Sequence, residues 1–181
     1  MLEGKNVNLR IMEKEDLPQF AEWVNKHEVF GEYNPLRQVS RTEMEKARDE
    51  GKMEHGEFLI ERKDGGKVGY IQYRMLMLTG KLPEIGYFLA PSERGKGYCT
   101  EAIEIMVDYL FLSRDIVRVQ AHTDTRNVAS RKVLEKAGFK KEGIVRKLIF
   151  VRGEWRDEFL YSILREEWKE PKILTKTTSE T

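Results

Sequence analysis

Between residues 84 and 123 the chain changes its apolar period twice. Residues 84–89 alternate, with Ile85, Tyr87 and Leu89 on one side. Residues 98–112 then carry apolar side chains at helical spacing: Ala102, Met106, Tyr109 and Leu110 form a stripe, and Glu101, Glu104 and Asp108 a wet face. From Val117 the alternation returns, with Val117, Val119 and Ala121 set against Arg118, Gln120 and His122. A strand, a helix and a strand in so short a stretch leave few arrangements. A crossover of helix length puts the two strands parallel, adjacent and in one sheet.

The remaining segments attach to this unit. Val7, Leu9 and Ile11 read as a half-buried strand, followed by a helix over 16–26 with Leu17, Phe20, Ala21 and Val24 inward, Asp16 as N-cap and Pro18 in the first turn. Ser40-Arg41-Thr42-Glu43 is a capping box that opens a charged helix ending at Gly51. Strands over 57–62 and 67–75 flank the turn Asp64-Gly65-Gly66. A helix over 127–137 closes at Gly138, and strands over 143–151 and 155–164 flank Arg152-Gly153. The expectation is an α/β domain over residues 1–168, with one mixed sheet of about seven strands and about four helices. A polar tail over 169–181 is expected to fray.

Composition removes several function classes. Thirty-two basic residues against 31 acidic ones give a net charge of +1, without the basic excess that nucleic-acid binding wants. Cys99 is the lone cysteine and the three histidines are dispersed, so neither a disulfide framework nor a zinc cluster is expected, and no metal is assigned. No apolar run is long enough for a signal peptide or a membrane span, which makes a cytoplasmic location and no membrane partner the expectation.

The segment between strand 84–89 and helix 98–112 carries the chemistry. Arg94-Gly95-Lys96-Gly97-Tyr98-Cys99-Thr100 places two glycines before a helix whose opening N–H groups lack intrahelical partners. Those N–H groups and the helix dipole form an anion site, and a pyrophosphate suits it. The loop lacks the Gly-Lys-Ser/Thr of an ATP-binding loop, and Thr100 stands where a dinucleotide fingerprint needs its third glycine. A basic turn that merely joins two elements is the plainer alternative.

Arg94-x-x-Gly97-x-Cys99 resembles the Q/R-x-x-G-x-G/A pyrophosphate motif of the GNAT acetyltransferases, with Cys99 in place of the usual Gly or Ala. Asn127-x-x-Ser130-Arg131, followed by Val133 through Phe139, is similar to that family's second cofactor helix. Gly153-Glu154-Trp155-Arg156-Asp157 through Leu164 resembles the branch holding the ribosomal-protein-alanine and spermidine N-acetyltransferases, as do Val7-Asn8-Leu9-Arg10 and Glu15-Asp16. The resemblance spans residues 5–168.

It implies a mostly antiparallel sheet with a splayed central parallel pair, and acetyl-CoA as co-substrate in the opening. The pantetheine arm would pair near Phe88, Leu89 and Ala90. The pyrophosphate would rest on Arg94, Gly95, Lys96, Gly97, Tyr98, Cys99 and Thr100, and Asn127 would reach the cofactor. An acetyl group would pass directly to a primary amine of a protein N-terminus, a polyamine or a small molecule, in a ternary complex. Ser130 would return a proton to the thiolate, and Glu84 would take the proton of the amine. Each has a plainer role: Ser130 as a capping residue, Glu84 as a solvated edge carboxylate. His122 is a further base candidate or a hydrogen-bonded surface imidazole. Trp23, Tyr33, Trp155 and Asp157 are the acceptor-side candidates, although aromatics more often serve the core. A noncatalytic CoA-binding regulatory module with the same fold is the alternative function. The protein would be a monomer or a homodimer.

Overall fold

The alternating segments become eight strands and the helical ones six helices in the computed structural model, which describes residues 1–49, 55–76 and 82–174. The strands are β1 (Leu2–Glu3), β2 (Val7–Ile11), β3 (His55–Arg62), β4 (Lys67–Met75), β5 (Pro83–Leu89), β6 (Arg118–Asp124), β7 (Lys140–Val151) and β8 (Glu154–Leu164). The helices are α1 (Leu17–Asn25), α2 (His27–Phe30), α3 (Arg41–Asp49), α4 (Tyr98–Ser113), α5 (Val128–Ala137) and α6 (Arg165–Trp168). One sheet holds all the strands in the order β1-β2-β3-β4-β5-β6-β8-β7. Among the described residues only β5 and β6 pair in parallel, as the 84–123 pattern required. β1, α2 and α6 are too short to show a period and go beyond the expected seven strands and four helices.

Strand alternation sorts the core onto two sides. Phe58 and Ile60 face the larger cluster, with Ile85, Val119, Ala121 and the α4 residues Ala102, Met106 and Leu110. Leu59, between them, faces a smaller cluster with Met12, Leu17, Trp23 and Tyr70, against which Phe20 and Phe88 pack. The smaller cluster lies on the side of the sheet roofed by α1.

Three local expectations are corrected. Of the wet face expected on α4 only Glu104 is part-exposed; Glu101 and Asp108 are both buried. Glu101 accepts from the backbone and side-chain nitrogens of Asn6, each at 2.7 Å. Asp108 accepts from Trp168 Nε1 at 2.7 Å and from the amides of Lys172, Ile173 and Leu174. The chain therefore stays docked through Leu174, six residues past the expected end of the domain, and 175–181 lie outside the described residues. Asp16, expected to cap α1, makes no side-chain cap there. Its carboxylate instead joins Arg10, Lys67 and the amide of Glu13. Gly51, the expected end of α3, also lies outside the described residues.

Candidate active site

β5 and β6 share one registered pair, Glu84 with Gln120, although β5 runs on to Leu89 and β6 to Asp124. Beyond that rung the two strands part. Their facing backbone groups leave a slot in the middle of the sheet, where polar backbone is costly to leave unpaired. Two groups near the far end of β5 are already committed: Ala90 N–H donates to the Val68 carbonyl at 2.9 Å, and the Leu89 carbonyl accepts from Arg94 Nε at 3.1 Å. Phe88 faces the second cluster, ringed by Phe20, Trp23, Phe30 and Tyr70.

The slot opens onto the turn before α4. Gly95 and Gly97 hold φ of 78° and 84°, which glycine adopts without strain. A Cβ built on either would meet nothing within 4 Å, so their backbone faces open space. Gly97 is the N-cap of α4 and supplies no side-chain cap, leaving the opening N–H groups over Tyr98, Cys99 and Thr100 without one. This is the turn where the sequence analysis placed an anion site. Its charge is distributed differently from expectation. Arg94 spends its guanidinium on the carbonyls of Leu89 and Val29, tying α2 to the end of β5. Lys96 is exposed and pairs with Glu93 at 3.0 Å. Tyr98 packs against the larger cluster. Burial pushes the Cys99 thiol up to about 12, against a small opposing effect of Arg94, so it is not a thiolate at neutral pH.

α5 places its first turn on the other side of the slot. Asn127 caps it: its Oδ1 accepts from Ser130 N–H at 3.0 Å. Ser130 is therefore not the cap. Its Oγ lies 2.9 Å from Tyr87 Oη, joining α5 to β5. Burial raises the Tyr87 phenol far above its ordinary value, so it stays protonated and able to donate.

The closed end of the slot holds a charged knot. Glu84 Oε1 accepts from Arg74 Nε at 3.1 Å and from Arg74 Nη2 at 2.5 Å. Its Oε2 accepts from Gln120 Nε2 at 3.0 Å and meets His122 Nδ1 at 2.9 Å. Burial alone would raise the pKa of Glu84. The bonds from His122, Gln120 and Arg74 outweigh it and bring the carboxyl down to about 2. Glu158, on β8, is 9% exposed and has no such partners among the described residues; burial pushes its pKa up, partly offset by His122.

A cavity of about 680 Å³ lies beside this knot on the α1 side. Phe20, Phe30, Tyr70 and Phe88 line it, with Glu43, Glu57 and Arg74 among its polar groups. The four acceptor-side candidates do not converge on it. Trp23 is 7% exposed and belongs to the core beneath, edge-on to Phe88. Tyr33 donates to the Arg126 carbonyl at 3.4 Å. Trp155 is 58% exposed on the β7–β8 hairpin beside Phe150, and Asp157 accepts from the Lys147 amide.

The family description "Acetyltransferase (GNAT) domain" matches residues 6–140. The chain belongs to the GNAT acetyltransferase family. A probable N-acetyltransferase of Bacillus subtilis, YjcK, is 46% identical over 83 residues, 46% of each chain, so the match spans about half the length of that relative. The ribosomal protein uS5-alanine N-acetyltransferase of Escherichia coli is 30% identical over 84 residues, covering 46% of this chain and 43% of its own. The spermidine N-acetyltransferase of Vibrio cholerae, solved with CoA and spermine, superposes with a TM-score of 0.83 over 91% of this chain and 99% of its own. At 20% identity that likeness is one of fold.

Within this GNAT domain the sequence marked the glycines, Ser130 and Glu84 but passed over two side chains. Tyr87 alternates with Ile85 and Leu89 and so reads as core. Its signal is a hydroxyl that must find a partner when buried. Glu158 sits in a strand dense with charge, and only the register of β8 on β6 shows that it is buried next to His122.

Proposed function

We propose that this protein transfers an acetyl group from acetyl-CoA to a primary amine by direct attack, without an acyl-enzyme. One observation carries the reading: the central strands part after a single rung, and the slot ends at a glycine turn that exposes an uncapped helix N-terminus. The backbone of 95–100 would hold a pyrophosphate, with Lys96 adding charge at the rim. The parted edge of β5 toward Phe88 would hold an extended arm. Acetyl-CoA supplies an activated acyl group as a thioester.

The chain's own residues then have three tasks. Ser130, backed by the protonated Tyr87 hydroxyl, donates to the departing sulfur. Cys99, half-buried and un-ionised, packs against the larger cluster and takes no part as a nucleophile. The knot around Glu84 handles the proton of the acceptor amine. Glu84 itself is a poor acceptor of that proton, because a carboxyl brought down to about 2 stays ionised at neutral pH. The aromatic cavity beside the knot takes the body of the acceptor. The E. coli relative acts on a protein alanine, and the V. cholerae enzyme was solved with spermine. A protein N-terminus, a polyamine or a small-molecule amine would each suit this reading. A single cysteine suits a reducing, cytoplasmic setting.

Acetyl-CoA calorimetry with a thiol-release assay tests the proposal, using spermidine, an N-terminal alanyl peptide and an aminoglycoside as acceptors. Binding with thiol release on at least one amine is expected. Binding without release from a broad amine panel would make the protein a CoA-binding module instead.

A further inference from the structure

We propose that the acceptor amine gives its proton to Nε2 of His122, that Glu84 positions this ring, and that the carboxylate of Glu158 receives the ammonium. This rests on the acetyltransferase reading above. The three side chains share the α1 side of the sheet. Val119 and Ala121 of β6 point into the larger cluster, so Gln120, His122 and Asp124 point the other way. His122 follows the last β5–β6 rung by two residues, which sets its ring where the slot begins. The imidazole is 20% exposed, and among the described residues its Nε2 has no hydrogen-bond partner.

Glu84 settles which nitrogen can act. Its carboxylate is fixed as an anion by Arg74 and Gln120, so Nδ1 carries the hydrogen that faces it. The lone pair is then on Nε2, turned away from Glu84. A carboxylate that orients a histidine and stabilises its charged form is a positioning group.

Glu158 supplies the independent observation. In the register of β8 on β6 it stands opposite Asp124 and diagonal to His122. It is 9% exposed, and no hydrogen bond to its carboxyl is made among the described residues. The charged groups around it and His122 are accounted for. Asp124 is paired with Arg126 and Arg156, and Glu84 is paired with Arg74. That leaves a buried carboxyl facing an imidazole without a cation of its own, a costly arrangement that a primary ammonium would relieve.

The step balances. The ammonium gives one proton to His122, and the neutral amine forms the C–N bond as the C–S bond of the thioester breaks. The nitrogen's second proton ends on the sulfur by way of Ser130. His122 returns its proton to water, so one proton leaves per turnover.

The test is the pH dependence of kcat/KM for thiol release, with the best acceptor of the panel above. His122→Gln should lose about 10²-fold in kcat and its acidic limb should disappear. Glu84→Gln should lower kcat about tenfold yet keep that limb, since the ring stays but loses the carboxylate that orients it. Glu158→Gln should raise KM for the amine at least tenfold while changing kcat less. Calorimetry with acetyl-CoA confirms that each variant is folded, and His122→Asn replaces any His122→Gln protein that is not. A wild-type acidic limb in a folded, active His122 variant overturns the proposal, as does an unchanged amine KM in Glu158→Gln. A wild-type protein that binds acetyl-CoA but acetylates no amine defeats the acetyltransferase reading itself, a result distinct from either.

Discussion

Removing the two hydroxyls that meet between β5 and α5, one at a time, should give unequal results. Ser130→Ala leaves the Tyr87 hydroxyl buried, with its partner at 2.9 Å gone. A stranded buried donor costs about 1–3 kcal/mol, which for a chain of this length lowers Tm by about 2–12 °C. Tyr87→Phe leaves only the Ser130 Oγ, which is half-buried and can turn to water, so its cost should stay below about 1 kcal/mol. Catalysis should rank the two variants in the same order, but for a different reason. A general acid contributes about 10²–10⁴-fold, and a thiol is a fair leaving group, so Ser130→Ala should lose about 10²-fold in kcat. Tyr87→Phe should lose less, about tenfold, because it acts through Ser130. Urea melts and steady-state thiol release on both variants and the double variant separate the effects. Acetyl-CoA affinity should hold in all three. Turnover of Ser130→Ala within about twofold of wild type, in a protein destabilised as calculated, would refute the acid role and leave the pair a strut.

Gly97→Val introduces a β-branched residue at a φ of 84° and a side chain where the backbone faces open space. It should weaken acetyl-CoA binding at least tenfold by calorimetry at a folding cost of about 1–2 kcal/mol, and unchanged affinity would move the pyrophosphate elsewhere. Cys99→Ala should retain most turnover, since a thiol at about 12 is no nucleophile, and its loss with cofactor binding intact would reverse that view. Asp108→Asn turns one of its two oxygens into a donor facing backbone amides, at a cost of about 2–3 kcal/mol. Limited proteolysis should then cut near Ile173 at protease levels that spare the wild type. Arg10 chiefly, with Lys67 and the Glu13 amide, holds Asp16 well below the ordinary carboxylate range. A lowered carboxyl stabilises the fold above its unfolded pKa and loses that contribution as the pH falls. Urea midpoints should therefore drop from pH 5 to pH 3, with a shallower drop in Asp16→Asn.

Periodicity was enough to read the long elements, because a half-buried strand or helix must repeat its apolar residues. β5, α4 and β6 fall within a residue or two of their expected bounds. It failed on α4's outer face because burial there is polar: Glu101 and Asp108 bond backbone that arrives from the two ends of the chain. No local pattern reports a partner 60 or more residues away. The glycine turn was legible for the opposite reason, since its chemistry is local. Arg94 looked like a phosphate ligand from its charge and its place in the motif, yet its guanidinium binds nearby carbonyls. Asn127 and Ser130 were visible as a pair, but the sequence could not divide their roles. The cap fell to the first and left the hydroxyl of the second free to meet Tyr87.

The lone rung between Glu84 and Gln120 makes the sheet, mechanically, two plates on one hinge. Five strands lie on one side of that hinge and three on the other. The Glu84 carboxylate is also the rivet, gripping Arg74 from the first plate and Gln120 and His122 from the second. A change made there to adjust proton transfer therefore also alters the angle between the plates. That angle sets the width of the slot and the alignment of a turn on β5 with a helix that follows β6. The gap in the middle of the sheet and the charge at its apex can be altered only together.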